Sequence, residues 1–225
     1  MKKLLARLTL ASLFSLTSAT ATWADIELTK TEQRISYSLG VLVANQLIEN
    51  FKSLDQGAFS AGFEAAYLGN KIQISATDAA AEVQQYQQQR VDTIAAVNLA
   101  ESEAFLMQIA QKEGVQSTLS GLQYKVIKVG SGNSPDATDK VTVHYRGTLM
   151  SGEEFDSSYG RGEPSSFALN GVIPGWTEGL GLMKEGAIYE FYIHPDLAYG
   201  ARGVGEVIGP NNALIFEVEL IKVDG

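Results

Sequence analysis

The sequence has no cysteine and only two histidines, and these absences exclude several kinds of site. Without cysteine, the chain cannot form a disulfide bond, a thiol nucleophile or a cysteine-ligated metal site. His144 and His194 have no neighbouring histidine or carboxylate at the spacing of metal ligands, and we expect both to be strand or surface residues. A Ser-His-Asp mechanism and a histidine-bound metal are therefore disfavoured. No cofactor is expected.

Positive charge is also scarce, because 17 Lys and Arg residues stand against 26 Asp and Glu, for a net charge of −9. Lys2, Lys3 and Arg7 precede a short apolar run at residues 8–16 and a stretch of small residues. This pattern predicts a secretory signal peptide over residues 1–24, with an uncleaved membrane anchor as the alternative. Its removal would leave a net charge of −12. So acidic a protein is not expected to bind nucleic acid or an anionic membrane through bulk charge.

The first half of the chain lacks proline and shows helical periodicity. A capping box at residues 29–32, formed by Thr29 and Glu32, predicts one helix, and Asp55 predicts the start of a second that ends near Gly69. Phe59, Phe63 and Tyr67 form an aromatic stripe on the second helix. Two such helices are too small to form a core alone. We expect residues 25–74 to be a dimerisation module that buries these stripes against another copy of the chain.

A third helix is predicted from Ser75 or Thr77, because no glycine or proline follows until Gly114. It would be about 55 Å long. Its apolar stripe is thin, so we expect a solvated spacer that packs at its N-terminal end and again near Phe105. A broken helix folded back on itself is the alternative. A linker is predicted at residues 114–121, and residues 75–117 then form the connecting segment.

Beyond residue 117 the pattern changes to strands with alternating apolar residues, at 122–129, 140–145, 187–193 and 213–223. The first of them changes phase near Ile127, which suggests a bulge. A short helix is predicted from Pro174 to a stop at Gly186, with Trp176 on its apolar face. Such a helix needs a sheet to lie against. We therefore predict an α+β fold in which residues 118–225 form an antiparallel sheet curled around the helix, with Trp176 as the floor of a cleft.

Aromatic residues dominate the candidate site, since the glycine-rich loop at 200–205 lacks the lysine of a phosphate-binding loop and the setting of a dinucleotide site. Asp156 and Arg161 enter the same region as potential partners. A dry aromatic bowl with few hydrogen-bonding groups suits an apolar ligand. Simple core packing is the alternative. The aromatic residues expected to converge are Tyr145, Phe155, Trp176, Tyr199 and Phe216.

Five separated motifs resemble the FKBP-type peptidyl-prolyl isomerases in order and spacing. They are VHYRGTL at 143–149, GEEFDSS at 152–158, VIPGW at 172–176, LAYG at 197–200 and LIFEVEL at 214–220. The N-terminal half, including SYSLG at 36–40, is similar to the macrophage-infectivity-potentiator subfamily. That subfamily consists of exported homodimers with helical dimerisation modules.

The resemblance implies roles for particular residues. The positions that match the family's catalytic residues are Tyr145, Asp156, Trp176, Tyr199 and Phe216. The positions that match its substrate contacts are Phe155, Arg161, Val172, Ile173, Val207 and Ile208, with the backbone of Ile173 facing ligand carbonyls and the last two overhanging the bowl. The chain departs from the family at Ser165, where an aromatic residue is frequent, and at Val204, where some members have histidine.

The implied activity is rotation about X–Pro bonds of unfolded or proline-containing polypeptides, with inhibition by the family's macrolides. Rotation about an amide faces a barrier of about 18–20 kcal/mol set by resonance, and it requires neither a nucleophile nor a metal. The implied location is periplasmic, with outer-membrane association or secretion left open. A dimeric chaperone or surface binding protein with a weak or vestigial pocket is the competing interpretation.

Overall fold

The structure, a computed structural model, describes residues 26–51 and 53–224. It divides the chain into two compact units, of which the first ends at Gln73 and the second begins at Ile74. The predicted signal peptide, residues 1–24, lies outside the described residues. Among the residues that the structure describes, none of the helices combines the length and apolar character needed to cross a membrane.

The described part of the first unit contains two helices, α1 (Thr31–Asn50) and α2 (Gln56–Tyr67). The side chain of Asp55 accepts a hydrogen bond from the backbone N–H of Ala58 at 2.8 Å, which confirms the predicted cap of α2. The predicted capping box of α1 is wrong by one residue. Because Lys30 occupies the N-cap, the capping side chain is that of Gln33, which accepts from the Lys30 N–H at 3.0 Å, and not that of Glu32.

The aromatic side chains of α2 are exposed in the described part of the chain. Phe63 is 59% exposed and Tyr67 is 77% exposed. Phe63 stacks on both Phe59 and Tyr67, with ring centroids 6.5 and 5.7 Å apart. These rings thus form one continuous aromatic stripe along α2, as its helical spacing predicts.

The second unit begins with α3 (Ala76–Ile109), a single helix of 34 residues. Ser75 caps it by accepting from the Asp78 N–H at 3.1 Å. The continuous helix shows that the alternative of a broken, folded-back helix is wrong. The helix ends five residues before Gly114, because the chain turns there to enter a strand. The expected packing near Phe105 is confirmed, since its ring lies edge-on to that of Tyr192 at 6.4 Å.

A seven-stranded antiparallel sheet forms the rest of this unit, in the order β1-β2-β6-β7-β3-β4, with β5 paired to β3. The α+β prediction is therefore confirmed. Two short helices, α4 (Ser158–Arg161) and α5 (Pro174–Gly181), interrupt the strands. The strands are β1 (Val115–Ser117), β2 (Gln123–Lys128), β3 (Lys140–Leu149), β4 (Glu154–Ser157), β5 (Ser165–Ala168), β6 (Ile188–Ile193) and β7 (Leu214–Asp224).

The predicted linker at 114–121 is wrong in part, because residues 115–117 form β1. Val115 pairs with Lys125 and Ser117 with Gln123, so the segment completes the edge of the sheet beside β2. The bulge expected near Ile127 is present as a shift in register between Val126 and Lys128. The division of the second unit at residue 117 stays a prediction.

The core lies between α5 and one face of the sheet. Leu180 and Met183 are fully buried, and Gly179 fits so closely that a Cβ atom there would lie 2.7 Å from the ring of Phe191. The helix ends at Gly181 instead of running on toward Gly186, but the following turn still carries Met183 into the core. The alternation expected in the strands is confirmed in β3 and in β7, where every second side chain from Leu214 to Leu220 is buried.

Candidate active site

Trp176 forms the floor of an aromatic bowl at the start of α5. Pro174 occupies the first turn of the helix, where a missing N–H is tolerated, and it directs Trp176 inward. The indole is 5% exposed. It meets the ring of Phe216 edge-to-face at 5.0 Å and that of Tyr145 at 5.1 Å. Such perpendicular contacts are favourable for aromatic pairs and hold the floor rigid.

Phe155 completes the predicted wall, and the structure adds two residues that sequence reasoning did not single out. The ring of Phe155 lies edge-on to Phe216 at 5.4 Å. Phe167, on β5, lies 5.4 Å from Trp176, and the only signal for it in the sequence was an aromatic residue directly after two serines. Gly147 leaves space for the rings of Phe155 and Phe216, since a Cβ atom at this position would lie 2.7 Å from each of them.

A polar network stands at the rim of the bowl. The hydroxyl of Tyr145 donates to Asp156 Oδ2 at 2.5 Å and accepts from Arg161 Nη2 at 2.8 Å. Arg161 Nη1 donates to Asp156 Oδ1 at 2.5 Å. The guanidinium also lies 5.5 Å from the centre of the Tyr145 ring, at a distance where cation–π attraction contributes. The three residues come from β3, β4 and α4, so only the folded chain brings them together.

The charges of this network follow from its contacts. Burial raises the pKa of Tyr145, and its hydrogen bond to Asp156 raises it further. Partial burial works against ionisation of Asp156, but the hydrogen bonds from Tyr145 and Arg161 outweigh it and lower the pKa of the carboxyl. At neutral pH the rim therefore carries a neutral phenol, an ionised carboxylate and a guanidinium.

Ser158 holds the backbone of Tyr145 in place, a role that sequence reasoning missed. Its hydroxyl is fully buried, accepts from the Tyr145 N–H at 2.8 Å and lies 3.2 Å from the Tyr145 carbonyl. His144 Nδ1 lies 2.9 Å from the hydroxyl oxygen of Ser158. The signal available in the sequence was only the position of Ser158 two residues after Asp156. These contacts fix the strand edge from which the Tyr145 side chain projects.

The remaining predicted site residues differ in how far they are buried. Tyr199 is 38% exposed, and burial together with the nearby charge of Asp156 raises its pKa. Val172 and Ile173 are half-buried and pack on the main core. Ile208 is 6% exposed and belongs to the same cluster as Trp176, whereas Val207 is 46% exposed.

The two departures from the family pattern have structural consequences of their own. Ser165 Oγ accepts a hydrogen bond from Arg161 Nη2 at 3.1 Å, so a polar contact to the guanidinium takes the place of a ring. Val204 is 47% exposed and pairs through its backbone with Ile208. The departures therefore alter the rim and the overhanging loop without changing the aromatic floor.

Two clefts lie elsewhere in the second unit, beside the C-terminal part of α3. One, of about 610 Å³, is lined by Phe105, Gln108 and Met150, and the other, of about 550 Å³, by Met107, Gln123 and His194, among others. Leu197, in the second, packs on the main core, but neither cleft contains a predicted site residue. In the described part of the chain, no three His, Cys, Asp or Glu side chains are grouped so that they could hold a metal ion. The aromatic bowl therefore remains the candidate active site.

Comparison with known proteins agrees with this geometry. The model of the FKBP-type peptidyl-prolyl cis-trans isomerase matches residues 131–221, and that of the domain amino-terminal to FKBP-type peptidyl-prolyl isomerase matches residues 32–126. The chain is 44% identical to the peptidyl-prolyl cis-trans isomerase Mip of Coxiella burnetii, over 86% of this chain and 88% of that protein. It is 36% identical to the outer membrane protein MIP of Legionella longbeachae, over 96% and 97%.

A solved structure extends the likeness to three dimensions. The crystal structure of FkpA from Escherichia coli superposes with a TM-score of 0.75 and 38% identity, over 87% of this chain and 98% of that one. Both the helical half and the sheet are covered by the family models. The chain therefore belongs to the FKBP-type peptidyl-prolyl cis-trans isomerases and is an enzyme of that activity.

Proposed function

We propose that this protein is an exported isomerase that accelerates X–Pro rotation in folding polypeptides, with the aromatic bowl as its active site. In this proposal Tyr145, Asp156, Trp176, Tyr199 and Phe216 are the catalytic residues. The substrate contacts are Phe155, Arg161, Val172, Ile173, Val207 and Ile208. One observation carries the proposal: a nearly dry floor formed by Tyr145, Trp176 and Phe216 lies directly beside the ionised carboxylate of Asp156.

The floor is suited to the proline ring and to the rotating amide. A planar amide carries more charge separation than a twisted one, because resonance is lost on twisting. Trp176 and Phe216, with exposures of 5% and 4%, surround the bond with apolar surface and exclude water. An apolar site therefore favours the twisted state over the planar ground state, and catalysis follows from that difference in binding.

The rim is proposed to hold the flanking peptide while one side of the bond turns. Asp156 accepts a hydrogen bond from a substrate N–H, or it orients a substrate carbonyl through Tyr145 and Arg161. These two residues are hydrogen-bonded to each other and to the carboxylate. The N–H of Ile173, at the start of α5, donates to a substrate carbonyl. A substrate held on one side and free on the other rotates about the bond between them. No group has to exchange a proton with the substrate.

We further propose that the mature protein is a homodimer through the first unit, located in the periplasm, with association with the outer membrane or secretion as alternatives. The exposed stripe of Phe59, Phe63 and Tyr67 supports the dimer, because isolated soluble chains seldom leave such a patch uncovered. The predicted signal peptide at residues 1–24 supports export. Chaperone activity would use the space between two linked isomerase domains, and a macrolide of the kind bound by this family would occupy the bowl.

The test compares Asp156→Ala and Trp176→Leu with the unaltered mature protein in a tetrapeptide isomerisation assay. Each variant is expected to lower kcat/KM at least about tenfold, since a hydrogen-bonded charge or the floor itself is lost. Glu153→Ala, which removes an exposed carboxylate near Asp156, is the matched control and should keep full activity. Far-UV circular dichroism establishes that each variant is folded.

A macrolide inhibitor sharpens the assignment. It should abolish activity of the unaltered protein and bind at least about tenfold more weakly to Asp156→Ala. Full activity in both Asp156→Ala and Trp176→Leu would contradict the proposed site. An inactive but folded unaltered protein would instead favour the dimeric binding protein with a vestigial pocket.

A further inference from the structure

The loop that overhangs the bowl, residues 200–213, is here called the flap. Its tip is a tight hairpin in which Val204 and Ile208 exchange backbone hydrogen bonds of 2.8 and 3.3 Å. Gly203 is needed for this turn, because its φ is +61° and a Cβ atom there would lie 2.2 Å from the Ile208 carbonyl oxygen. Ile208 is buried in the cluster that contains Trp176. The conformation of the flap is therefore tied to the floor of the bowl.

The helix α3 makes a set of hydrogen bonds to the C-terminal base of the flap. Asn98 Nδ2 donates to the Pro210 carbonyl at 2.8 Å. The hydroxyl of Ser102 donates to the Asn211 carbonyl at 2.9 Å and accepts from the Ala213 N–H at 2.8 Å. In return, Asn211 Nδ2 donates to the carbonyl of Ala95 at 3.0 Å.

These contacts form a built interface, since the three helix positions share one face. Residues 95, 98 and 102 are spaced by three and four, the spacing that aligns side chains on a helix. Ser102 is fully buried with both its donor and acceptor functions used. Gly209 also approaches closely, because a Cβ atom there would lie 3.4 Å from Asn98 Nδ2. The helix thus fits against the flap as a part of the same packed unit.

Asn211 is the point at which the flap closes. Among the described residues it is the non-glycine residue with a positive φ, at 54°, a conformation that asparagine tolerates better than most residues. Its backbone N–H donates to the Gly200 carbonyl at 2.9 Å, which joins the two ends of the flap. The helix therefore holds the residue whose unusual backbone sets the width of the loop.

We propose that α3 positions the flap for substrate, with Asn98 and Ser102 as positioning residues. This inference rests on the proposed function, in which Val207 and Ile208 contact the substrate. Loosening the base of the flap lets Ile208 leave the floor and weakens substrate binding. The twisting of the bound amide depends on Trp176 and Asp156 and is unaffected. The helix that was expected to be a solvated spacer with local packing is thereby also a component of the isomerase site.

The experiment uses the full mature protein and the variant Asn98→Asp, which keeps the shape of the side chain but replaces the donor with a carboxylate. Hydrogen exchange of the backbone amides at 203–208 should become about fivefold faster or more, because the hydrogen bond from Asn98 to the Pro210 carbonyl at the base of the flap is lost. KM for a tetrapeptide should rise about threefold or more, while kcat stays within about twofold. Asn98→Gln, which restores a donor on a longer arm, should recover part of both effects. Gln108→Ala, at an exposed amide on the same helix, is the control.

Each other outcome identifies what has failed. Exchange at 203–208 that is the same in Asn98→Asp and Gln108→Ala would overturn the inference, as would faster exchange without a change in KM. A fall in kcat at constant KM would also overturn it, since the helix would then act on the floor and not on the flap. Val207→Ala tests the underlying assignment separately. If it leaves KM unchanged, the flap does not contact substrate, and the proposed site at the flap fails together with this inference.

Discussion

Two phenylalanines show how differently the two units use apolar residues. Phe63 of α2 is 59% exposed, whereas Phe191 of β6 is fully buried between the sheet and α5. Both lie in regular apolar patterns, one with helical and one with strand periodicity. Periodicity thus identifies the face that needs cover, but it does not say whether the same chain supplies the cover. In the second unit a sheet does so, and in the first unit no described side chain is buried.

The largest effect is expected from a charge placed in the exposed aromatic stripe of α2. If another copy of the chain covers Phe63, then Phe63→Glu in the mature protein should convert a dimer into a monomer, because a buried unpaired carboxylate is costly. Light scattering measures the change. Leu119→Glu, at a fully exposed apolar residue of the second unit, is the control and should remain dimeric. A monomeric unaltered protein, or a dimeric Phe63→Glu variant, would contradict the proposed dimer.

The second prediction separates the units and compares their contributions to activity. Residues 74–225 should match the mature protein on a tetrapeptide, since one bowl suffices. They should be about tenfold or more slower on a protein whose refolding is limited by proline isomerisation, because two linked sites raise the effective concentration. Both rates are measured on the same two proteins.

The position of the cut matters for that comparison. Leu106 and Ile109 of α3 are buried against Tyr192, so a fragment that begins at residue 115 would lose part of the core. If the fragment of residues 74–225 loses activity equally on the tetrapeptide and on the refolding protein, the first unit only stabilises the isomerase domain. Equal retention on both would leave it without a catalytic role.

Matched glycine substitutions give a third and smaller contrast. In α5, Gly179→Ala would press a methyl group to within 2.7 Å of the Phe191 ring and should destabilise the second unit by about 1–3 kcal/mol. In α2, no described atom outside the adjoining helix backbone lies within 4 Å of a Cβ atom added at Gly62, so Gly62→Ala should stabilise the helix by up to about 1 kcal/mol. Urea unfolding measures both. A destabilised Gly62→Ala variant would show that a second chain packs closely at that position.

The smallest expected effect concerns pH, because the activity of the unaltered protein should not change between neutral pH and about pH 4. The folded pKa of Asp156 lies below its unfolded value, so the stabilising network is complete above the unfolded pKa and is lost only as the pH falls through the lower, folded pKa. Activity should therefore stay constant as the pH is lowered to about 4, near the ordinary aspartate value. In Arg161→Ala the loss of activity should begin at a higher pH, because the hydrogen bond from Arg161 that lowers the pKa of Asp156 is gone.

The peptide assay between pH 7 and 3.5, with circular dichroism at each point, checks this prediction. Arg146→Ala removes an exposed ion pair with Glu154 on neighbouring strands and is the matched control. It should leave the pH profile unchanged. Superimposable profiles for the unaltered protein and Arg161→Ala would show that the guanidinium does not set the charge of Asp156.

Features that depend on neighbours along the chain could be predicted from the sequence. The start of α5 at Pro174, the cap of α2 by Asp55 and the alternation of β7 follow from local propensity and periodicity, and each is present. The motifs around Asp156 and Trp176 identified the family, because their order and spacing are specific. The roles of these residues stay predictions, although Tyr145, Asp156 and Arg161 do form one network.

Contacts between distant segments could not be predicted, because they depend on how the whole unit packs. Residues 115–117 have the composition of a linker, but they form a strand because they pair with β2. Phe167 is part of the wall of the bowl because β5 pairs with β3, which places the Phe167 ring beside Trp176. Ser102 and Asn211 are hydrogen-bonded across 109 positions of sequence, and neither residue carries a local signal for the other. A polar side chain on a helix is compatible with solvent as well as with a partner. The packing of the whole unit, which buries Ser102 completely, selects the partner.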